Sequence, residues 1–230
     1  MNYFISKRIK KFFLLVILHV FPLCGYSQTG SISSEFSIAR LKYNGGGDWY
    51  NDPSCIPNLL TFLRQNTMIA AGADEKRVEI LDQDLFTNSV LFMTGHGKIS
   101  IDEQERDRLR NYLTHGGFLF ADDDYGMDQY FRAMIKQVFP DKDFVELPFS
   151  HPIYHSHFQF PNGIPKIHEH DGGPPHGYGV FHEGRMVIYY TFNTNISDGW
   201  ADPDVHKDPE SVRLEALKMG VNIIVYALTN

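Results

Sequence analysis

SVLFMTGHGKISIDEQERDRLRNYLTHGGFLFADDD, residues 89–124, decides the fold. Ser89–Thr94 is an apolar run, and Gly117–Ala121 is a second. Each has the pattern of a strand buried on both faces. Between them Ser100 and Glu103 stand at capping-box spacing. Ile101, Leu109, Tyr112 and Leu113 then carry a helical stripe, and Gly116 supplies the stop. Strand, helix and strand in this order predict parallel pairing.

The flanks extend the alternation. Phe36–Tyr43 alternates apolar and polar residues, which predicts a strand ending at the Asn44–Gly47 loop. Pro57 suits the first turn of a helix that continues through Leu59, Leu60, Phe62 and Leu63. Arg77–Leu81 reads as a strand. After the three aspartates Asp122–Asp124, a helix is expected from Met127 to Phe139 through Phe131, Met134, Ile135 and Val138. A strand follows at Asp143–Leu147. Pro148–Pro175 is rich in Pro, Gly and His, with an extended piece at His157–Phe160. Val180–Tyr190 reads as a hairpin turning at Glu183-Gly184. The last helix runs from Pro209 to about Leu228 with Asp208 as its cap. The predicted fold is α/β: a three-layer sandwich with a mostly parallel sheet, helices on both faces and an antiparallel edge hairpin.

The first 27 residues read differently. Lys7, Arg8, Lys10 and Lys11 precede the apolar run Phe12–Phe21, too short for the roughly 20 residues of a membrane span. Gly25 and Ser27 offer small residues at the −3 and −1 positions. A signal peptide over 1–27 is expected, with cleavage before Gln28 and one α/β domain over 28–230. A lipid anchor at Cys24 is disfavoured because Leu23 is not small. The expected location is the periplasm or the extracellular space, with membrane contact only through the signal peptide during export. The four basic residues leave and no acid does, so net charge goes from −7 to −11. That charge argues against nucleic acid. One cysteine, Cys55, remains and cannot form an internal disulfide.

In parallel sheets ligands bind beyond the carboxyl ends of the strands. Five segments leave the carboxyl ends of predicted strands, Asn44–Tyr50, Thr94–Gly97, Asp122–Tyr125, Pro148–His155 and Asn193–Trp200, and parallel topology is expected to bring the first four to one edge. Gly45, Gly46 and Gly47 would let backbone approach a ligand or simply make a turn. Asp48 after them argues against a phosphate loop. His96 sits at a tight turn as a ligand, a general base or a packing residue. Asp122 and Asp124 should point to one face and Asp123 to the other. One of the three is expected to cap the next helix. The candidate catalytic residues are His96, Asp122 and Asp123. Seven histidines fall within the 32 residues from His151 to His182. Of these His151 and His155 are the candidate metal ligands, since imidazole with carboxylate suits zinc and related cations. His168-Glu169-His170-Asp171 reads as an exposed turn. Gly45, Gly46, Gly47, Asp48, Trp49, Tyr50 and Trp200 are the candidate ligand-binding set, with Tyr125 and Tyr154 as further aromatics for a groove.

The segments Arg40–Tyr50, Met93–Gly97, Leu113–Asp123, His151–His155 and Gly199-Trp200 together resemble the bacterial family called domain of unknown function 4159, over about Phe36 to Asn230. The resemblance implies a fold similar to the class I glutamine amidotransferases and no established activity. Those enzymes carry a cysteine nucleophile at an elbow. Here His96 and Asp122-Asp123 hold the candidate turns, so cysteine chemistry is not expected. Two functions stay open: a hydrolase that is metal-dependent or works by acid–base chemistry, with a divalent metal as the possible cofactor, and a non-catalytic module binding a small molecule, glycan, peptide or protein.

Overall fold

The computed structural model describes residues 35–168 and 171–230. The signal-peptide expectation over 1–27, including Cys24 and cleavage before Gln28, lies outside the described residues. Glu35–Asn230 form one compact unit. No helix among the described residues is long and apolar enough to cross a membrane.

Seven strands form one sheet: β1 (Ala39–Lys42), β2 (Lys76–Glu79), β3 (Val90–Met93), β4 (Phe118–Asp122), β5 (Val145–Glu146), β6 (His176–His182) and β7 (Arg185–Phe192). Their order is β2-β1-β3-β4-β7-β6-β5. The first five in that order run parallel. β6 is antiparallel to both of its neighbours. The β6–β7 turn is Glu183-Gly184, with φ of 50° and 83°. Two positive φ values in a two-residue loop match the twist of the flanking strands.

The helices are α1 (Cys55–Asn66), α2 (Glu103–Thr114), α3 (Asp128–Val138), the short α4 (Pro203–His206) and α5 (Glu210–Thr229). Strand alternation sorts them into layers. Val90, Phe92, Phe118 and Phe120 face a core shared with α1 and α5. Leu91, Met93, Leu119 and Ala121 face a core shared with α2 and α3. This is the expected three-layer sandwich. On the α1/α5 face, Phe92, Phe120 and Tyr189 form an aromatic row with centroids 5.6 and 5.9 Å apart. Trp200 packs 5.8 Å from both phenylalanines. Such pairs add about 0.5–1.5 kcal/mol each beyond area burial.

Several local expectations are corrected. The capping box of α2 is Asp102 with Glu105, not Ser100 with Glu103. Ser100 instead donates its N–H to Asn44 O at 2.7 Å in a bridge to the glycine loop. That pairing keeps the chain extended until Asp102. Asp208 does not cap α5, whose cap position is Pro209 without a side-chain bond. His157–Phe160 is not a strand; His157 and Phe158 N–H donate to Asn222 Oδ1 at 3.1 and 2.7 Å.

Cys55 is fully buried at the start of α1 and unpaired. Burial pushes its thiol up to about 12, against the opposing pull of Arg40. A thiol held neutral is a poor nucleophile. Cys55 should therefore resist iodoacetamide in native protein at roughly pH 8 and alkylate after denaturation, as read by peptide mass spectrometry. Native modification at the rate of a free thiol would contradict this placement.

Candidate functional site

Three of the four loops expected together, those after β1, β3 and β4, meet at the carboxyl edge, and the Asn193–Trp200 segment after β7 joins them in place of Pro148–His155. The glycines join the first two. Gly45 has φ +119°, and a Cβ there would lie 2.7 Å from Lys98 O and Ser100 N. A Cβ on Gly47 would lie 2.8 Å from His96 O. These glycines bring backbone against backbone. The close approach delivers Asp48 to His96: the carboxylate accepts the His96 backbone N–H and lies 3.0 Å from Nδ1. Burial tends to raise the Asp48 pKa, but the His96 bonds outweigh it and hold the carboxyl below its ordinary range.

Arg40 fixes the rest of the first loop. Its side chain is buried on β1 beside Glu75, at 2.8 Å. The remaining guanidinium donors reach Trp49 O at 3.3 Å, Asn51 O at 2.9 Å, Asp52 O at 3.2 Å and Cys55 Sγ at 3.1 Å. Held this way, Asp52 adopts φ 47°. Trp49 is half-buried and Tyr50 exposed, in edge contact at 5.5 Å.

The three aspartates divide by strand alternation. Asp122 faces the loop after β7. It accepts from Thr191 Oγ1 at 2.5 Å and from Ser197 N and Oγ, both at 2.7 Å. Complete burial pushes its carboxyl up to about 7 despite those bonds. Asp123 faces the other way and accepts from Met127 N at 2.7 Å; Met127 is the cap residue of α3 and the helix has no side-chain cap bond, so the expected aspartate cap is not formed. Burial raises it to about 6. Asp124 returns to the first face. It accepts from Asn195 Nδ2 at 2.7 Å and bonds Asn51 Nδ2. Its Oδ2 lies 3.6 Å from His96 Nδ1. Burial, then the nearby charges of Asp198, Asp122 and Asp52, push Asp124 well above the carboxylate range.

Asp198, just before Trp200, is the centre of the edge. Its Oδ2 lies 2.8 Å from His168 Nδ1 and 3.8 Å from His206 Nδ1. The far nitrogens of both rings meet carboxylates: His168 Nε2 lies 3.0 Å from Asp208 and His206 Nε2 lies 2.9 Å from Asp52. The other oxygen, Asp198 Oδ1, is buried and receives no hydrogen bond. Asp52, Asp124 and Asp198 place ligand atoms within 4.8 Å of one another, and so do His168, Asp198 and His206. The Asp124 and Asp198 side chains are 4% and 3% exposed, against 21% and 24% for His168 and His206, so the carboxylates form the floor and the imidazoles the rim. Asp198 opposes the tendency of burial to raise it, because His168 and His206 hold it ionised. Asp198, followed by Asp208, raises His168 to about 9 against the effect of burial.

Other expected residues lie elsewhere. His151 caps a 3₁₀ turn and packs 5.4 Å from Tyr226 and 6.4 Å from Phe181. Phe181 pairs with Met186, at the far end of the sheet from Thr191. Both ring nitrogens of His155 are engaged, with Gln159 Oε1 and Phe149 O at 2.9 Å each. His151 is therefore held away from the Asp198 cluster, and His155 spends both ring nitrogens within its own segment. Trp200 is buried and donates to Ala216 O at 2.8 Å, so it is core and lines no groove. Tyr154 is likewise buried. His168, dismissed above as part of an exposed turn, belongs to the cluster, and so do Asp52, Asp198 and His206. Asp52 and Asp198 stand in or beside loops already singled out; nothing in the sequence marks His206.

The chain matches the model of the family described as Domain of unknown function (DUF4159) over residues 37–228. It belongs to that family. No curated protein matches it.

The shifted groups set a pH dependence. Asp122, Asp123 and Asp124 bind protons in the folded state that the unfolded chain releases near pH 4, so their ionisation removes stability as pH rises through about 6–7 and above. His168 contributes stability fully present below about 6.5 and lost as pH passes about 9. Asp48 and Asp198, held low, contribute above about pH 4 and lose that only in acid. In chelator the protein should be most stable near roughly pH 5, with Tm falling toward roughly pH 9. Asp122→Asn should flatten the fall between about pH 5 and 7. A Tm that climbs from roughly pH 5 to 8 in chelator would contradict this arrangement.

Proposed function

We propose that this member of the DUF4159 family is an exported, metal-dependent hydrolase working at the Asp198 cluster. The observation that carries the proposal is the convergence of buried Asp52, Asp124 and Asp198 with His168 and His206, leaving Asp198 Oδ1 without a donor. Buried charges are costly unless paired or coordinating a cation. Carboxylate and imidazole donors together suit zinc, manganese or iron better than a cation preferring only oxygen. A divalent cation there would polarise a substrate oxygen and lower the pKa of water.

His96 is the proposed acid–base group. Its side chain is about half exposed, and Asp48 and Asp124 face Nδ1. An imidazole with one nitrogen fixed by a carboxylate presents the other to a proton donor. Nε2 takes a proton from water as its oxygen adds to the electrophile, then returns that proton to the leaving group. Trp49, Tyr50 and Tyr125 stand on the loops carrying Asp48, Asp52 and Asp124 and would form the aromatic rim of the substrate site. Cysteine-based amidotransfer on a similar scaffold is not proposed, because Cys55 is buried and its thiol is neutral.

Elemental analysis of purified protein should find a transition metal. Adding Mn²⁺ or Zn²⁺ to stripped protein at about 100 times Kd should stabilise it by about 2.7 kcal/mol, a rise in Tm of roughly 5–10 °C. No bound metal and an unmoved Tm would overturn the proposal. Across a panel of activated ester, amide, glycoside and phosphoester substrates, His96→Ala should lower turnover about 10²–10⁴-fold while metal content stays constant.

A further inference from the structure

The five residues around Asp198 do not form one ligand set. They form two triads, His168–Asp198–His206 and Asp52–Asp124–Asp198, which share Asp198. A cation bonded at roughly 2.0–2.2 Å holds ligand atoms no more than about 4.4 Å apart. Within each triad the ligand atoms lie within 4.8 Å of one another, but no such group takes in all five residues, so the five cannot close on one ion as they stand.

We infer that the cluster is a two-cation centre with Asp198 as the bridging carboxylate. This rests on the metal-dependent reading above. Asp198 Oδ2 serves the imidazole side, where both rings turn Nδ1 toward it. The Nε2 atoms are directed to Asp208 and Asp52, the arrangement that orients a ligating histidine through its second nitrogen. Asp198 Oδ1, buried with no donor, serves the carboxylate side with Asp52 and Asp124. Asn51 and Asn195 amide groups steady Asp124. Asp52 has two tasks, orienting His206 and joining the oxygen-rich position. The two positions differ in chemistry: nitrogen-rich at the half-buried rim, all-carboxylate beneath it. Two ions a few ångströms apart would clamp both the attacking and leaving oxygens of a displacement, which narrows the substrates toward phosphoesters and amides.

The test is titration of the metal-stripped full chain with Mn²⁺, read by calorimetry, elemental analysis and electron paramagnetic resonance. Two equivalents per chain with an exchange-coupled spectrum are expected. His206→Ala and Asp124→Asn should each reduce the stoichiometry to one and abolish the coupling. Asp198→Asn should weaken both ions at least tenfold, with circular dichroism confirming that each variant is folded. The wild-type result decides without the variants should one of them fail to fold. One equivalent, or two without coupling, overturns the bridge and leaves the single-cation reading standing. No binding overturns both.

Discussion

Arg40 is the charge on which the carboxyl edge depends. It is fully buried on β1, over the Phe92 ring at 5.3 Å. Removing a guanidinium from water is costly unless every donor is met. The protein meets them with Glu75, three loop carbonyls and the Cys55 sulfur. Because the carbonyls are those of Trp49, Asn51 and Asp52, satisfying the arginine also fixes the loop. Asp48 and Asp52 take their positions from this backbone grip. A lysine could not substitute, since it lacks the planar fork that reaches several acceptors at once.

Asp122 does the converse on β4. It is a buried acceptor whose donors all come from Thr191 and Ser197. Arg40 and Asp122 point to the same face of the sheet, one tying down the loop after β1 and the other the segment leading to Asp198. The site therefore rests on two buried polar anchors and the aromatic row beneath them. The loops gain definition from buried side chains on the strands beneath them.

The fold was legible because its signals are local. Apolar runs at Val90–Met93 and Phe118–Ala121 can be little but buried strands, and alternation along Asp122–Asp124 assigned the faces of three side chains. The site was legible only in part. His96, Asp48 and Asp124 meet where the strand-end rule places them. The histidine-rich stretch misled because density along a chain is not proximity: His151 is held away from the cluster and His155 spends its ring nitrogens within its own segment, whereas His168 reaches Asp198 across thirty residues. His206 stands in a four-residue helix with no periodic signature, and only the folded chain brings it to Asp52. Trp200, an aromatic next to a glycine, resembled a ligand platform. It is a core residue because its indole N–H finds the Ala216 carbonyl inside the protein.

Asp52 and His206 are separated by 154 positions. During synthesis the amino-terminal half of the cluster is complete long before its other half exists. No nascent fragment ending ahead of His206 can assemble the constellation, however well its first strands pair. The contact between Asp52 and His206 can therefore close only after nearly the whole chain has been made.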